Sequence, residues 1–391
     1  MKIRVGVFFG GKSVEHEVSV ISAVQAMKNL NEEKYDIIPI YITKKGEFFT
    51  NAVMREIKAF EDVDLLLQKS QRVTFINYEN KVVMTKYPAK KLGKNDISYI
   101  DVALPVTHGT NVEDGALQGY FKSLGLPFAG CDVLSSAIGM DKYVSKVLLR
   151  NGGFPVVDGY RYSFVNYKNP ENVVNDIEKK LEYPIIIKPV NLGSSIGISK
   201  VNTKEELEVA LEDAFSYASA IIAEPCVANL REINCSVLGD IEFAEASECE
   251  EPLNASDILN FHDKYEDGGK SSKAGMASLK RKIPANISDE LRENIRKTAV
   301  ESFKYLNCNG VARIDFLLNN HTQEFYINEF NTIPGSLSFY LWDKIGMKYN
   351  ALLDRMIELA LKRFRQESEI TFSFDTNILS NAGLGSKGSK L

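Results

Sequence analysis

The chain has 391 residues, enough for two or three domains at roughly 150 residues per domain. With 44% hydrophobic and 25% charged residues, it has the composition of a folded globular protein, which excludes collagen and a wholly disordered chain. Its 47 Lys and Arg residues against 52 Asp and Glu residues give a net charge of −5, so no basic excess is available to neutralise a nucleic-acid backbone. We therefore expect no nucleic-acid partner.

The cysteines and the apolar segments indicate where the protein works. The five cysteines are odd in number and never spaced C-x-x-C, which argues against a disulfide framework and a zinc site and favours the reducing cytoplasm. The apolar stretch at the N-terminus is too short for a signal peptide and lacks an A-x-A-like cleavage site. No apolar run approaches the roughly 20 residues that span a bilayer, so we expect no membrane association.

The N-terminal part of the chain has the pattern of an α/β domain with an open parallel sheet. An apolar run that ends at Gly10-Gly11 is followed by apolar residues at helical spacing, which predicts a strand feeding a helix. Further strands are predicted at Tyr35–Ile42 and at residues 100–105, and a Gly-rich turn follows the second of them. We expect this domain to cover residues 1–138.

Two further units follow, and the last is of α+β type. Residues 139–223 predict a small central domain, and residues 224–365 predict a C-terminal domain. Helices are predicted near Asp141 and around residues 352–360, and strands at residues 185–188, 198–201, 232–238, 311–318 and 325–330. Residues 366–391 are predicted to form a tail whose end, rich in Gly, Ser and Lys, is disordered.

Residues 6–13 satisfy the Walker A pattern G-x-x-x-x-G-K-[ST], in which a glycine-rich loop and a lysine hold nucleotide phosphates. The variable positions include Val7, Phe8 and Phe9, whose bulk and β preference favour a strand that contains Gly6. We therefore expect a strand and a turn here, with the phosphate-binding loop as the alternative.

Polar residues mark one face of two neighbouring strands near the C-terminus. Because side chains alternate with period two, Arg313 and Asp315 share a face of one strand, and Glu329 and Asn331 share a face of the next. A hairpin that pairs Asp315 with Glu329 opposes two carboxylates, which repel unless a cation lies between them. Mg²⁺ held by Asp315, Glu329 and Asn331 fits these oxygen donors. The alternative is a solvent-facing polar strip with an Arg313–Asp315 salt bridge.

A second polar signal closes the predicted strand at residues 185–188. Burying the Lys188 ammonium there is unfavourable unless it meets an anion, and the loop that follows offers backbone N–H donors at Gly193 and Gly197. These features predict a phosphate clamp, with a tight hairpin and an exposed Lys188 as the alternative. Lys142 lies at a helix start, where lysine opposes the helix dipole; this indicates an anionic partner, although a solvated lysine is the simpler interpretation.

Residues 251–283 contain three glycines and six basic residues with little apolar periodicity. Long loops of this kind in compact enzymes are usually functional or disordered. We expect this segment to be a mobile lid.

With these elements in this order, the chain resembles an ATP-grasp ligase, and specifically the D-alanine–D-alanine ligase family. The resemblance runs from the first strand to about Lys362. It is carried by the segments EHEVS (15–19), HGTNVEDG (108–115), MDK (140–142), Lys188 with GSS (193–195), KY (264–265), RID (313–315) and NEFNTIPG (328–335).

The resemblance implies a role for each matching residue. It implies that ATP is contacted by Lys142, Lys188, Glu224, Val227, Glu232 and Lys264. It implies that Asp315, Glu329 and Asn331 hold two Mg²⁺ ions, or Mn²⁺ in their place. It also implies that Glu15, Ser194 and Tyr265 close the lid over the first D-alanine near His108, and that Arg313 and the Gly335 amide face the tetrahedral oxyanion.

The implied reaction has two steps. The carboxylate of the first D-alanine attacks the γ-phosphate of ATP to give an acylphosphate, and the amine of a second amino acid then displaces phosphate. The family usually binds the carboxylate of the second substrate with a Ser-Leu pair, but here Tyr340 precedes Leu341. The candidate donors are therefore the hydroxyls of Ser336 and Ser338, the phenol of Tyr340 and the amide of Leu341.

The implied function is D-alanine–D-alanine ligation for peptidoglycan precursor synthesis, by a homodimer as is usual in the family. Two alternatives stay open. One is a related ligase that joins D-alanine to D-serine, D-lactate or another amino acid. The other is a nucleotide-binding regulatory protein that keeps the fold without turnover.

Overall fold

The computed structural model describes residues 2–193, 196–253 and 281–373. The predicted site residues Ser194, Lys264 and Tyr265 lie outside the described residues, as do residues 254–280 of the predicted lid and the tail from residue 374 onward. Within the described ranges, helices cover three β-sheets, so the predicted α/β class with an α+β C-terminal part is confirmed.

The first sheet is built from the N-terminal domain. Its elements are β1 (Ile3–Gly10), α1 (His16–Asn29), β2 (Tyr35–Ile42), β3 (Phe48–Thr50), α2 (Val63–Gln68), β4 (Gln71–Tyr78), β5 (Lys81–Lys86), β6 (Asp96–Ile100), β7 (Val102–Pro105) and α3 (Ala116–Leu124). The strand order is β6-β5-β4-β3-β2-β1-β7. Strands β2, β1 and β7 are parallel, as predicted, whereas β3 to β6 join antiparallel. The sheet is thus mixed and not wholly parallel.

The Walker A pattern falls in β1 and the turn after it. Gly6 lies inside β1, opposite Ile38 of β2 and Ala103 of β7. Gly10 has a φ of +88°, and a Cβ there would lie 2.3 Å from the carbonyl oxygen of Ile42, so the turn requires glycine. The side chain of Lys12 is exposed. The prediction of a strand and a turn is therefore confirmed.

The second sheet is small and antiparallel. It follows α4 (Val133–Met140) and α5 (Lys142–Asn151) in the chain. Its strands are β8 (Tyr160–Ser163), β9 (Ile185–Pro189), β10 (Ser199–Val201) and β11 (Ala220–Pro225), and the helices between them are α6 (Pro170–Lys180) and α7 (Lys204–Tyr217). The strand order is β10-β9-β11-β8. Asp141 caps α5, its side chain accepting from the N–H groups of Tyr143 and Val144, which explains why the helix begins where the sequence predicts.

The third sheet carries the polar strands. Its elements are β12 (Leu230–Gly239), β13 (Ala244–Pro252), β14 (Arg281–Lys282), α8 (Asp289–Tyr305), β15 (Gly310–Asn319), β16 (Phe325–Asn331), α9 (Phe339–Asp343) and α10 (Tyr349–Ser368). The order is β14-β13-β12-β15-β16, with every pair antiparallel. Buried residues of α10, among them Leu352 and Met356, share one core with Val5 of β1 and Val311 of β15, so α10 joins the first sheet to the third.

The three sheets use residues 3–105, 160–225 and 230–331. We therefore retain the division into domains at residues 138 and 223 as a proposal. None of the helices among the described residues is both long and apolar enough to cross a membrane.

We predict that Gly310→Ala destabilises the fold more than Gly346→Ala. Both glycines have a positive φ, +75° and +91°, but a Cβ at Gly310 would lie 2.8 Å from the Cα of Gly130, whereas a Cβ at Gly346 meets open space. The left-handed backbone alone costs about 1–2 kcal/mol in a residue other than glycine, and the clash at Gly310 adds to it. Urea unfolding of both variants measures the difference. Equal losses would contradict the close backbone approach.

Candidate active site

The site is built on the hairpin of β15 and β16. Arg313 pairs with Asn331 and Asp315 pairs with Glu329, as the sequence predicts, and the register shifts immediately after Asp315. The shift leaves Asn328 as an extra residue on β16, opposite the bond between Asp315 and Phe316. Two carboxylates, a guanidinium and an amide thus meet at one end of the hairpin.

A row of polar side chains crosses four strands of the third sheet. Glu250 of β13 lies opposite Asn234 of β12, and Asn234 lies opposite Asp315 of β15. Asp315 in turn lies opposite Glu329 of β16. Directly paired residues share a face of a sheet, so three carboxylates and an amide form one transverse row. Glu250 and Asn234 were not predicted, because their positions opposite Asp315 depend on strand register and not on local sequence.

The Asp315 carboxylate accepts a bidentate pair of hydrogen bonds from Arg313, at 2.6 and 2.7 Å, and a third from the Asn331 amide at 3.0 Å. The alternative prediction from the sequence, a solvent-facing strip, also contained this Arg313–Asp315 ion pair. Its placement in solvent is wrong, because the two side chains are only 11% and 14% exposed. Burial raises the pKa of Asp315, and the Glu329 carboxylate adds to the shift while Arg313 opposes it. The Arg313 guanidinium is therefore the counter-charge of this buried carboxylate where the two strands end.

Lys142 connects the helix α5 to this hairpin. Its ammonium lies 3.1 Å from the Glu329 carboxylate and donates to the carbonyl oxygen of Leu192 at 2.6 Å. The side chain is buried, so the interpretation of Lys142 as a solvated lysine is wrong. The carboxylate of Glu329 is the counter-charge that a lysine at a helix start requires.

Lys188 is also buried, so the alternative of a hairpin with an exposed lysine is wrong. Its ammonium lies 2.8 Å from the Glu224 carboxylate and donates to the Asn328 side chain at 3.0 Å. Lys146 contacts the other oxygen of Glu224 at 2.5 Å, and both of these side chains are 2% exposed. Sequence analysis missed Lys146, although its position four residues after Lys142 puts both lysines on one face of α5.

Glu15 lies where two glycine-containing loops meet. A Cβ added at Gly109 or at Gly193 would lie 2.9 Å from the Glu15 carboxylate, so both loops approach this side chain closely. Ser13 anchors the turn, its hydroxyl accepting from the Glu15 N–H at 3.1 Å. The carboxylate is therefore held between the Gly-rich turn after β7 and the loop after β9.

His108 is buried with both ring nitrogens engaged. One nitrogen, Nδ1, donates to the carbonyl oxygen of Ile333 at 2.8 Å, and Nε2 accepts from the Ser22 hydroxyl at 3.0 Å. Burial lowers the pKa of the imidazole, so His108 is neutral. Glu113 ties the same segments together, accepting from the N–H groups of Gly109 and Ile333 at 2.9 Å each, and burial raises the pKa of Glu113 to about 8.

The segment after Pro334 is a tight turn with unusual backbone geometry. Gly335 opens it, and Ser336, Leu337 and Ser338 all have φ values of 51–52°, in the left-handed region. The Ser336 hydroxyl donates to the Gln25 side chain at 2.7 Å. The buried Ser338 hydroxyl has no hydrogen-bond partner within the described residues. Of the two predicted serine donors, only Ser338 is thus available to a ligand.

Tyr340 joins the far end of the polar row. Its hydroxyl donates to Glu250 at 3.2 Å, and the Arg281 guanidinium lies 4.1 Å from the centre of its ring and 2.8 Å from Glu250. Asn234 also donates to Glu250, at 3.2 Å. Burial raises the pKa of Tyr340 to about 12, so the phenol is neutral. Leu341 is fully buried in the first turn of α9.

The remaining predicted nucleotide contacts lie at the junction of the second and third sheets. Val227 is half-buried in the connection between β11 and β12. Glu232 lies on β12 two residues before Asn234, on the same face as the polar row. The donor set of Asp315, Glu329 and Asn331 consists of two carboxylates and an amide, oxygen ligands of the kind that Mg²⁺ takes.

Comparison with known proteins matches nearly the whole chain. Two family models match, described as D-ala D-ala ligase N-terminus over residues 4–131 and D-ala D-ala ligase C-terminus over residues 148–358. The D-alanine–D-alanine ligase of Thermosipho melanesiensis is 40% identical over 96% of this chain and 98% of its own length. The enzyme of the same name from Acetivibrio thermocellus is 38% identical over 93% of this chain and 97% of its own.

Solved structures agree with these relatives. The D-alanine-D-alanine ligase from Coxiella burnetii matches with a TM-score of 0.79 and 29% identity, covering 94% of this chain and 96% of that one. The VanG D-Ala:D-Ser ligase from Enterococcus faecalis matches with a TM-score of 0.75 and 33% identity, covering 92% of this chain and all of that one.

We predict that His108 lowers the stability of the protein in mild acid. Its folded pKa is lowered from an unfolded value of about 6.5, so below that pH the unfolded chain takes up a proton that the folded chain excludes. The stability contribution of neutral His108 is complete above pH 6.5 and is lost as the pH falls further, at up to about 1.4 kcal/mol per pH unit.

Unfolding free energies of the wild type and His108→Gln, measured from pH 7 to 5, give the test. The difference in unfolding free energy between wild type and His108→Gln should narrow or reverse toward pH 5. The control His321→Gln changes an exposed histidine, and its difference from wild type should not change with pH in this way. Parallel pH profiles for the wild type and His108→Gln would show that the buried ring takes up its proton without penalty.

Proposed function

Since the chain belongs to the D-alanine–D-alanine ligase family, we propose that it is an ATP-dependent ligase that joins two D-alanines through a D-alanyl phosphate for peptidoglycan precursor synthesis. The observation that carries the proposal is the meeting of two buried lysines, Arg313 and two carboxylates at one place in a chain that matches the family along its length. D-alanine and ATP are the substrates.

The nucleotide phosphates bind between the second and third sheets. Lys142 and Lys188 reach this place from α5 and β9 and contact the carboxylate of Glu329 and the side chain of Asn328. Phosphate oxygens would replace or share these contacts, because an ammonium in a poorly solvated site binds an anion strongly. Glu224 and the chain near Val227 would hold the ribose and adenine, and Glu232 would meet the ribose, as the resemblance to the family implies.

Asp315, Glu329 and Asn331 would hold Mg²⁺. When bound, the ion supplies positive charge that neutralises the triphosphate. Arg313 would then turn its guanidinium, at present on Asp315, toward the oxyanion of the tetrahedral intermediate together with the Gly335 amide, where preorganised donors stabilise developing charge.

The carboxylate of the first D-alanine attacks the γ-phosphorus, forming an O–P bond as the bond to ADP breaks. The amine of the second D-alanine then attacks the carbonyl carbon, loses a proton and displaces phosphate. Glu15, held between Gly109 and Gly193, would receive the ammonium of the first D-alanine next to His108. The site must exclude water, because water would hydrolyse the acylphosphate.

The proposal also includes a cellular location and an oligomeric state. A cytoplasmic location is supported by the scattered, odd-numbered cysteines. A homodimer is proposed from the resemblance to the family, and sedimentation or light scattering measures it.

A second candidate is ligation of D-alanine to D-serine or another acceptor. The observation that favours it is Tyr340, which occupies the position where the family usually has serine and donates to Glu250. The similarity to a D-Ala:D-Ser ligase agrees with this candidate. Phosphate release from ATP and Mg²⁺ over a panel of D- and L-amino acids and D-lactate, with product analysis, separates the two. Release that does not depend on any amino acid would favour a nucleotide-binding regulator.

We predict that Asp315→Asn and Glu329→Gln each abolish turnover while the protein stays folded. Each removes a Mg²⁺ ligand and its charge from a site that must neutralise a triphosphate. Phosphate release at moderate Mg²⁺ measures turnover, and thermal unfolding checks the fold. Near-normal rates in both folded variants would refute the metal assignment.

We predict that Lys188→Ala loses about two orders of magnitude or more in activity, whereas Lys12→Ala stays within about one. Lys188 is buried beside the predicted phosphate position, and Lys12 is exposed on the turn after β1. A charge-assisted contact contributes about 1.5–3 kcal/mol or more. Measuring kcat/KM for ATP in the two variants tests this prediction. The opposite order of effects would restore the Walker A interpretation.

We predict that D-alanine is accepted as the second substrate through the Leu341 N–H and the Ser338 hydroxyl. Ser338→Ala should raise the KM of the second D-alanine about ten- to a hundredfold, because a hydrogen bond to a charged group contributes about 1.5–3 kcal/mol. Ser336→Ala is the matched control, since its hydroxyl is bound to Gln25. If Tyr340→Phe alone alters that KM, the phenol is the anchor and Ser338 is not.

A further inference from the structure

Lys146 is the one lysine of the cluster that the proposed reaction leaves without a task. Within the described residues, the cluster comprises three buried lysines and two carboxylates: Lys142 pairs with Glu329, while Lys146 and Lys188 share Glu224. The formal charge of these five groups is +1. A surplus of positive charge in a poorly solvated place favours an anion, which agrees with the nucleotide proposed for the site.

The two lysines on Glu224 are held differently. Lys188 lies on β9, diagonal to Glu224 on the antiparallel neighbour β11, and it also contacts Asn328 of the third sheet. Lys146 comes from the second turn of α5 and meets Glu224 at 2.5 Å, with 2% of its side chain exposed. Lys188 therefore has partners on both sides of the predicted phosphate position, whereas within the described residues Lys146 forms an ion pair with Glu224 alone.

Leaving a buried carboxylate without a counter-charge is energetically unfavourable. Removing one partner of a buried ion pair is strongly destabilising, because an uncompensated charge remains. If Lys188 leaves Glu224 to bind a phosphate oxygen, Glu224 keeps a counter-ion only if a second cation stays in place. The geometry provides that cation, since Lys146 and Lys188 bind different oxygens of the same carboxylate.

We propose that Lys146 is a positioning residue: it stays on Glu224 as a fixed counter-ion and so allows Lys188 to transfer to the nucleotide phosphates. The proposal rests on the proposed function, in which Lys188 binds ATP. Lys146 touches neither substrate. Although burial acts to raise it, the two ammonium groups hold the pKa of Glu224 below its usual value, consistent with a carboxylate that stays charged between them.

The test compares the affinity of variants for the ATP analogue AMP-PNP with Mg²⁺, measured by calorimetry without D-alanine, and the KM values for ATP and D-alanine. Lys146→Met should weaken AMP-PNP binding and raise the KM for ATP about tenfold or more, with the KM for D-alanine within about twofold. Lys146→Arg, which keeps the charge, should recover most of the affinity. The exposed Lys179→Met is the matched control and should behave as wild type.

The double variant Lys146→Met/Glu224→Gln separates this role from a purely structural one. Because Glu224 is itself a predicted ATP contact, the reference is the single variant Glu224→Gln. With no carboxylate to neutralise, the double variant should bind AMP-PNP within about twofold of Glu224→Gln, and it removes the unpaired charge that could prevent Lys146→Met from folding. A double variant that binds at least tenfold more weakly than Glu224→Gln would overturn the proposal, as would unchanged affinity in folded Lys146→Met. If Lys188→Ala also binds normally, the proposed nucleotide site itself is wrong.

Discussion

A buried charge must be paired, and this requirement organises the site. The register of the third sheet puts Glu250, Asp315 and Glu329 in one row across β13, β15 and β16. Three carboxylates so close together would destabilise the sheet if bare. Each has a cation beside it: Arg281 for Glu250, Arg313 for Asp315 and Lys142 for Glu329. The two ends of the row therefore carry different cations, a lysine beside Glu329 and an arginine beside Glu250.

The cations at the Glu329 end come from elsewhere in the chain. Lys142 on α5 and Lys188 on β9 belong to the predicted central domain, and they reach across to Glu329 and Asn328 of the third sheet. In the proposed function, a triphosphate entering there would meet two ammonium groups already held in place by carboxylate and amide oxygens. The end at Glu250 is closed by the ring of Tyr340 under Arg281, and this is the end that we propose lies toward the acceptor.

Sequence patterns predicted much of this arrangement for a physical reason. Period-two alternation and a short hairpin connection determine the pairing of Asp315 with Glu329, and the Asp141 cap determines where α5 begins. The burial of Lys142 and Lys188 was harder to predict, because the partners lie far along the chain. Lys146, Asn234 and Glu250 were missed for the same reason, since a residue's function there depends on contacts between strands or domains. The antiparallel extension of the first sheet was also missed, because strand direction depends on which strands pair and not on local sequence.

The most direct test of the account follows the oxygen atoms of D-alanine. If its carboxylate attacks the γ-phosphate at this site, one carboxylate oxygen becomes the bridge of the acylphosphate and leaves with phosphate when the second amine attacks carbon. With ATP, Mg²⁺ and D-alanine labelled with ¹⁸O in the carboxylate, mass spectrometry should find one ¹⁸O in each phosphate released. Unlabelled phosphate formed together with the dipeptide would contradict the acylphosphate route and the roles assigned to the residues around it.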